Sequence, residues 1–314
     1  MKKRIHFFIV IGILLIGFVL GSFFDLQIDQ ALFSRNNAFG LIMASFGVYP
    51  CYIGLAFIGG GLMVVARKRK ELPLWATICL YALSILAYGM SIYLCGRELP
   101  SPNGFDIPQL AILSYAMCAV IFAGVFVFAY WICGKGDPAK LLPVLLCMAV
   151  IFTVGLLPPG FAIKLIIHRP RYRYAVYYGE TPYLNWWEMF PDYKDHIREI
   201  TVEGGKVINI TKEEFKSFPS GHSGTGAIMM MFLPYASQFF KKLKGKETIL
   251  FYIGFAFMLL MMYSRLLVGA HYLTDTCMGS LFVMIVYYIV NEFAIRKGYF
   301  DEKPAIENKE EQVA

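Results

Sequence analysis

Eight long apolar runs constrain the fold of this chain more than any other feature of its sequence. About 20 apolar residues are enough to cross the hydrocarbon core of a bilayer. Charged residues make up 16% of the chain, against about 25% in a typical soluble domain. The sequence therefore predicts an all-α, polytopic membrane helix bundle with about eight transmembrane helices. The runs cover roughly residues 6–24, 42–66, 73–95, 109–133, 141–160, 222–240, 248–267 and 273–295.

The first run follows the basic residues "MKKR", as the apolar part of a signal peptide does. The segment behind it, "GSFFDLQID", has no small-residue cleavage site. We therefore interpret the first run as a retained helix. The alternative, that one or two of the eight runs are re-entrant or interfacial, applies best to residues 222–240, which contain Pro234 and Ser237.

Basic residues between alternate runs orient the predicted bundle. They occur in residues 1–4, 67–70, 135–140, 241–247 and 296–303. Because cytoplasmic loops carry an excess of Lys and Arg, these segments are predicted to be cytoplasmic, together with both termini. The remaining loops are then extracytoplasmic. The net charge of +7 is explained by this topology, and no nucleic-acid partner is expected.

Three polar motifs fall on the predicted extracytoplasmic side. They are "KLIIHRPR" after the fifth run, "PSGH" at the start of the sixth, and "SRLLVGAHYLTD" between the seventh and eighth. Polar residues at the edge of a membrane are costly and indicate a functional site by default. Hydropathy and charge, which are independent arguments, place all three motifs at one membrane face.

The motif "PSGH" is typical of a helix start that can bind an anion. Ser220 suits the N-cap position, and Gly221 allows an anion to approach the backbone N–H groups there. His222 is then placed to protonate a leaving oxygen. The alternative is an ordinary capped helix with an unrelated histidine.

In the third motif, His271 and Asp275 are four residues apart and would share one face of a helix. Asp275 would then fix the tautomer of His271 and leave its other ring nitrogen free to act as a nucleophile. Arg265 offers a planar fork suited to phosphate oxygens, and Gly269 allows a turn between Arg265 and His271. A purely structural His–Asp pair is the alternative.

In the first motif, Lys164 and Arg171 are seven residues apart, so on a continuous helix they would point to nearly the same face. Both cations are then able to contact one anion. Ordinary snorkelling of long basic side chains to the membrane interface explains the same pattern without a ligand.

Taken together, the motifs resemble the type 2 phosphatidic acid phosphatase family, which is related to the vanadium haloperoxidases. The family pattern is K-x6-R-P, then P-S-G-H, then S-R-x5-H-x3-D, and the resemblance covers about residues 140–295. The second and third motifs match fully. In the first, Tyr172 replaces the family's proline, while an Arg-Pro pair occurs two residues earlier at Arg169. Spacing favours Arg171 as the phosphate ligand, with Arg169 as its rival.

The resemblance implies a metal-independent phosphatase that needs no cofactor. Phosphate would be held by Lys164, Arg171, Arg265, Ser220 and Gly221, while the catalytic residues would be His271 as nucleophile, Asp275 as its orienting partner and His222 as general acid. The implied substrate is a phosphomonoester or pyrophosphate of a lipid, such as phosphatidic acid, phosphatidylglycerophosphate or undecaprenyl pyrophosphate. The implied location is a bacterial cell membrane with an extracytoplasmic active site. The alternatives are a lipid phosphotransferase with the same site and a transporter without enzymatic activity.

The sequence predicts three regions. Residues 1–108 would hold the N-terminal transmembrane helices, residues 109–300 the phosphatase core, and residues 301–314 a cytoplasmic tail. Between the fifth and sixth helices, the polar and aromatic segment 172–216 predicts a small extracytoplasmic cap with a hairpin around Gly204 and Gly205. We interpret this cap as a lid that selects the lipid; the alternative is a folded cap with its own aromatic core.

Overall fold

The protein is an α-helical bundle in its computed structural model, which describes residues 4–101, 105, 107–201 and 207–299. The predicted cytoplasmic tail, 301–314, lies outside the described residues. The helices are α1 (Arg4–Leu32), α2 (Ala38–Phe46), α3 (Tyr49–Lys68), α4 (Leu74–Gly96), α5 (Ala111–Cys133), α6 (Pro138–Ala162), α7 (Lys164–Ile167), α8 (Gly221–Tyr235), α9 (Glu247–Leu267) and α10 (Leu273–Arg296). Two strands, β1 (Glu199–Thr201) and β2 (Val207–Asn209), lie between α7 and α8.

Seven stretches of the described chain are long and apolar enough to cross a membrane. They are Arg4–Leu32, Ala38–Lys68, Leu74–Gly96, Pro108–Cys133, Pro138–Leu156, Glu247–Leu267 and Leu273–Arg296. The predicted all-α polytopic bundle is confirmed. The second stretch contains a break, since α2 and α3 are separate helices and Pro50 lies in the first turn of α3, where its missing N–H costs nothing.

The sixth predicted span, 222–240, differs from the other seven. Helix α8 has 15 residues, which rise about 22 Å against about 30 Å of hydrocarbon. Pro234 lies inside the helix, which ends at Tyr235 and continues as a short 3-10 turn. Most of α8 is buried, and it packs antiparallel to α9, with Gly226 against Met258 and Gly254 against Met230. Because neighbouring helices shield α8 from lipid, its length need not match the bilayer.

One continuous hydrophobic core connects the first and last helices, from Phe7 on α1 to Tyr287 on α10. Helix α3 lies in the middle of this core and packs against α4, α5, α6 and α8. Helix α1 packs against α10 through one narrow face, while large apolar side chains such as Ile16 and Phe23 are exposed on the other faces. Such exposed apolar faces suit contact with lipid. The proposed division of the chain at residue 108 stays a prediction.

The segment between α7 and α8 folds as a small cap. Strands β1 and β2 pair antiparallel with Ile200 opposite Ile208, so the predicted hairpin is confirmed, although its turn residues, 202–206, lie outside the described residues. Tyr174, Ile200, Ile210 and Phe215 form a second, separate hydrophobic cluster. The cap therefore has a core of its own.

Candidate active site

The three motifs meet at one end of the bundle, beneath the cap. The N–H of Ser220 donates to the backbone oxygen of Asp275 at 2.9 Å. The guanidinium of Arg171 lies 3.3 Å from His271 Nε2. The approach of α10 to the start of α8 requires glycine at position 279, because a Cβ there would lie 2.1 Å from the carbonyl oxygen of Ser220. Residues far apart in sequence thus form one site.

His271 is buried, and its two ring nitrogens have different surroundings. Nδ1 lies 2.6 Å from the carbonyl oxygen of Ser217 and 3.6 Å from Asp275 Oδ2. A nitrogen between two acceptors carries the hydrogen, so Nε2 keeps its lone pair and faces Arg171. Burial and the neighbouring cations Arg171 and Lys164 lower the pKa of His271 to about 3, against the opposing effect of Asp275. The ring is therefore neutral at physiological pH, as a nucleophile requires.

The predicted helical geometry of this pair is wrong in detail. Helix α10 begins at Leu273, so His271 precedes it and only Asp275 is helical. Asp275 Oδ2 accepts the backbone N–H of Tyr272 at 2.9 Å and the hydroxyl of Ser217 at 2.5 Å. The chain can leave the helical path because Gly269 has a φ of 60°, which glycine adopts without steric cost. His271 and Asp275 meet through this turn.

Arg169 is completely buried and has a partner for each of its N–H groups. Nε donates to the carbonyl of Leu184 at 2.9 Å, and the terminal nitrogens donate to Asp275 at 2.6 Å, to Asp25 at 2.9 Å, and to the hydroxyls of Thr274 and Tyr183. The guanidinium also lies over the ring of Tyr272, 3.9 Å from its centroid. No donor of Arg169 is left for a phosphate oxygen. The role of this residue is to stabilise the site by connecting Asp25 on α1 with Asp275 on α10.

Arg171 has a different environment. Its Nε donates to the carbonyl of Glu213 at 2.9 Å, and Nη1 donates to the carbonyl of Ala270 at 2.6 Å and faces His271. None of these partners is a carboxylate. The positive charge of Arg171 therefore lies beside His271 Nε2 without a carboxylate as hydrogen-bond partner in the described part of the chain, which favours Arg171 over Arg169 as the phosphate ligand.

Lys164 and Arg171 do not share a helix, and this prediction is wrong. Helix α7 ends at Ile167, His168 has a φ of 52°, and residues 168–171 are not helical. Pro170 explains the break, because the residue before a proline is disfavoured in the helical region. The two cations are nevertheless close enough to interact. Burial and the charge of Arg171 lower the pKa of Lys164 to about 8.

Arg265 is fully buried and has an unused donor. Its Nη2 donates to the carbonyl of Gly40 at 3.1 Å and its Nε contacts the hydroxyl of Ser264 at 3.3 Å. Nη1 has no hydrogen-bond partner among the described residues. Because an unsatisfied buried cationic donor is costly, its presence indicates a place where an anionic ligand binds.

Ser220 caps α8 as predicted, with its hydroxyl 3.3 Å from the N–H of Ser223. Gly221 borders open space, since a Cβ added there would meet no atom within 4 Å. The N–H groups of the first turn of a helix lack intrahelical partners and attract anions. The start of α8 therefore has the free N–H groups and the open space that an anion needs.

The comparison with known families agrees with this arrangement. Residues 146–298 match the PAP2 superfamily. This part of the chain, just under half of its length, is therefore a PAP2 superfamily region. Members of the PAP2 superfamily are phosphatases and related phosphoesterases, which supports phosphatase chemistry for this protein. The long apolar helices of the protein are those of an integral membrane protein. No curated protein and no solved structure matches the chain at a significant level.

The match begins in α6, so α1 to α5 lie outside the PAP2 region of the chain. These helices nevertheless contribute to the site. Asp25 on α1 binds Arg169, the carbonyl of Gly40 on α2 binds Arg265, and the carbonyl of Ala44 lies 3.2 Å from His222 Nε2. Beyond the end of α4, Glu98 Oε2 lies 3.5 Å from the same nitrogen.

Sequence reasoning missed Ser217, Asp25 and Glu98. Ser217 belongs to no motif, although its position three residues before Ser220 places it at the same helix start. Asp25 had a usable signal, because a carboxylate at the end of an apolar run is costly and calls for a partner. Glu98 had none, since it stands beside Arg97 in a polar loop.

Proposed function

We propose that this PAP2 superfamily protein is a membrane lipid phosphate phosphatase that acts through a phosphohistidine intermediate. The observation that carries the proposal is the environment of His271. Its Nδ1 donates to the Ser217 carbonyl and lies 3.6 Å from Asp275, while its Nε2 keeps the lone pair and, among the described residues, accepts only from Arg171. A neutral histidine oriented in this way, beside cations with free capacity, suits attack on phosphorus.

Substrate binding in this proposal relies on preorganised charge. Lys164, Arg171 and the free Nη1 of Arg265 bind the non-bridging phosphate oxygens, and the start of α8 adds the Ser220 hydroxyl and the N–H groups of Gly221 and His222. Donors that are already in place stabilise the developing charge of the transition state without reorganising, and each typically contributes about 3–4 kcal/mol.

In the first chemical step, the lone pair of His271 Nε2 attacks phosphorus. The bond between phosphorus and the leaving oxygen breaks, its electron pair goes to that oxygen, and His222 supplies the proton. The product is a phosphohistidine whose positive ring is stabilised by Asp275 and the Ser217 carbonyl. In the second step, His222 takes a proton from water and the water oxygen bonds to phosphorus. The bond between phosphorus and His271 Nε2 breaks, its electron pair returns to the nitrogen, and inorganic phosphate leaves.

A lipid substrate and an extracytoplasmic site complete the proposal. The lipid is supported by the apolar helices that surround the site, and the face by the basic loops between alternate helices. The cap contributes Trp186, which stacks on Phe218 and donates to the Ser22 hydroxyl at 3.0 Å, and Trp187, which is exposed. Exposed tryptophan favours the headgroup layer, so we propose that the cap guides the lipid to the site.

The test is phosphate release by purified protein in detergent micelles from phosphatidic acid, phosphatidylglycerophosphate and undecaprenyl pyrophosphate. We expect the wild-type protein to release phosphate from at least one of them and His271→Ala to release none. His6→Ala is a matched control, because His6 pairs with Tyr252 on α9, far from the motifs in sequence. Substrate labelled with ³²P and quenched in alkali, in which phosphohistidine is stable, should label the wild-type protein but not the variant.

Three outcomes would contradict the proposal. Absence of phosphate release from every lipid would reject phosphatase activity. Normal turnover by His271→Ala would reject the phosphohistidine mechanism. Transfer of the label to a second lipid instead of water would show a phosphotransferase that uses the same site.

A further inference from the structure

Glu98 is a buried carboxylate that the mechanism above does not use. It follows the end of α4, outside the region that matches the PAP2 superfamily, and only 6% of its surface is exposed. Its Oε1 accepts from Arg97 Nε at 3.2 Å. Its Oε2 lies 3.5 Å from Nε2 of His222, the general acid of the proposed reaction. The N-terminal helices thus bring a carboxylate to the acid side of the site.

The surroundings of His222 identify which ring nitrogen can transfer a proton. Nε2 faces two acceptors, the Ala44 carbonyl at 3.2 Å and the Glu98 carboxylate, so it carries a hydrogen and points away from the reaction. Nδ1 has no hydrogen-bond partner within the described parts of the chain. It is therefore the nitrogen available to a leaving group.

The charges around His222 give a nearby carboxylate a role. To donate a proton, His222 must be an imidazolium, yet burial disfavours that form most, and the charges of Arg265, His271 and Arg171 add to the effect. Cations near a histidine disfavour its charged form. Within the described residues, Glu98 is the one carboxylate at ion-pair distance from His222. At this distance its negative charge would oppose the effect of burial and of the neighbouring cations on His222.

We propose that Glu98 is the positioning residue of the general acid: it orients His222 and supports its imidazolium form, so that Nδ1 delivers the proton to the leaving oxygen. This inference rests on the proposed function. When the bond between phosphorus and oxygen breaks, the proton on Nδ1 moves to that oxygen and His222 becomes neutral, with Nε2–H still donated to the Ala44 carbonyl beside Glu98. When water attacks the phosphohistidine, Nδ1 takes a proton from it and the imidazolium returns. Glu98 does for His222 what Asp275 does for His271.

The experiment compares two phosphate esters whose leaving groups differ in how much they need a proton, and it compares kcat, at saturating substrate, so that differences in lipid binding do not enter. A short-chain phosphatidic acid leaves a diacylglycerol alkoxide, which must be protonated, whereas p-nitrophenyl phosphate leaves a stable phenolate. General acid catalysis contributes about 10²–10⁴-fold. We expect His222→Gln to lose about that factor in kcat on phosphatidic acid and Glu98→Gln to lose about tenfold or more, while both keep most of their kcat on the nitrophenyl ester.

Two further variants complete the design. Glu71→Gln is the matched control, because Glu71 is an exposed glutamate paired with Arg69 in the loop before α4, and it should leave both activities unchanged. Glu98→Gln added to His222→Gln should cause no further loss, since a positioning residue has no effect without the group that it positions. If Glu98→Gln does not fold, Glu98→Asp serves in the same comparison, with a smaller loss expected, again confined to phosphatidic acid.

Several results would overturn the inference. Equal losses of kcat on the two esters in Glu98→Gln would show that Glu98 has only a structural role in the site. An unchanged kcat on phosphatidic acid would show that His222 does not need Glu98. A further loss in the double variant would make Glu98 independent of His222. If the wild-type protein releases phosphate from neither ester, the proposed function fails and this inference fails with it; if wild type and His222→Gln behave as expected, only the role of Glu98 is at stake.

Discussion

Replacing Arg169 and Arg171 one at a time should separate structural stability from catalysis. Arg169→Ala removes the cation that binds Asp25 and Asp275, which are at most 1% exposed. Breaking a buried ion pair by removing one partner costs about 3–5 kcal/mol, because an uncompensated charge stays buried. Arg169 has two such partners, so we expect the loss to lie at the upper end of this range and to appear as a large fall in thermal stability.

Arg171→Ala leaves no carboxylate without a partner. It removes one donor from each of two carbonyls, those of Glu213 and Ala270, so the loss of stability should be smaller. The catalytic loss should be larger. Removing one preorganised donor from an oxyanion typically lowers kcat about 10²–10³-fold. Arg171→Lys keeps the charge but not the planar fork, and it should lie between Arg171→Ala and the wild-type protein.

The assay measures both quantities on the same samples. Thermal unfolding in one detergent, followed by tryptophan fluorescence, gives the stability, and phosphate release at a temperature where all variants stay folded gives activity per folded molecule. Arg169→Ala should rank lowest in stability and Arg171→Ala lowest in activity per folded molecule. If Arg169→Ala were as stable as the wild-type protein and lost more activity than Arg171→Ala, Arg169 would be the phosphate ligand and our assignment would be wrong.

Four other expectations can be checked by steady-state kinetics. Asp275→Asn should lower kcat strongly with a smaller change in KM, because the negative charge that stabilises the positive ring of phosphohistidine is lost while the Ser217 carbonyl still holds Nδ1; an unchanged kcat would contradict this role. Since the pKa of Lys164 is lowered to about 8, kcat/KM should fall as the pH rises above about 8 and the cation is lost, and Lys164→Arg should move this fall to higher pH. Vanadate should inhibit, because it binds where phosphate binds. EDTA should not inhibit, because Lys and Arg neutralise the phosphate; loss of activity in EDTA and its restoration by magnesium would indicate different chemistry. Trp187→Ala should reduce turnover of lipid more than that of p-nitrophenyl phosphate, and equal effects would reject a role for the cap in lipid selection.

The sequence predicts the bundle well because length and apolar composition are local properties. A run of 20 apolar residues has few alternatives to a membrane helix, and the Gly204–Gly205 pair indicated the hairpin of the cap. The length of α8 could not be predicted in this way, because it depends on the helices that surround α8. A short helix is stable at that place only because α3, α6, α9 and α10 surround it, and hydropathy along the chain does not contain this information.

The geometry of the site was predictable only in part. Motif spacing identified the residue types, but it assumed continuous helices for Lys164 to Arg171 and for His271 to Asp275, and both segments turn. Spacing alone also left Arg169 and Arg171 as rivals, because the distinction depends on partners such as Asp25 that are more than 100 residues away. Ser217 and Glu98 act through contacts that no one-dimensional pattern records.

The ion pair between Asp25 and Arg169 has a consequence for how the chain is inserted into its membrane. The two residues are 144 positions apart, so at about 5–20 residues per second the ribosome adds Arg169 roughly 7–30 s after Asp25. During that interval the end of α1 carries Asp25 and Asp29 without the arginine, and an isolated aspartate in a membrane helix is unfavourable by about 2.5–3.5 kcal/mol at the centre of the bilayer. The end of α1 must therefore stay in contact with water, or keep its carboxyl groups protonated, until the cap has been translated. Its final depth in the bilayer is fixed late in synthesis, although α1 leaves the ribosome well before Arg169.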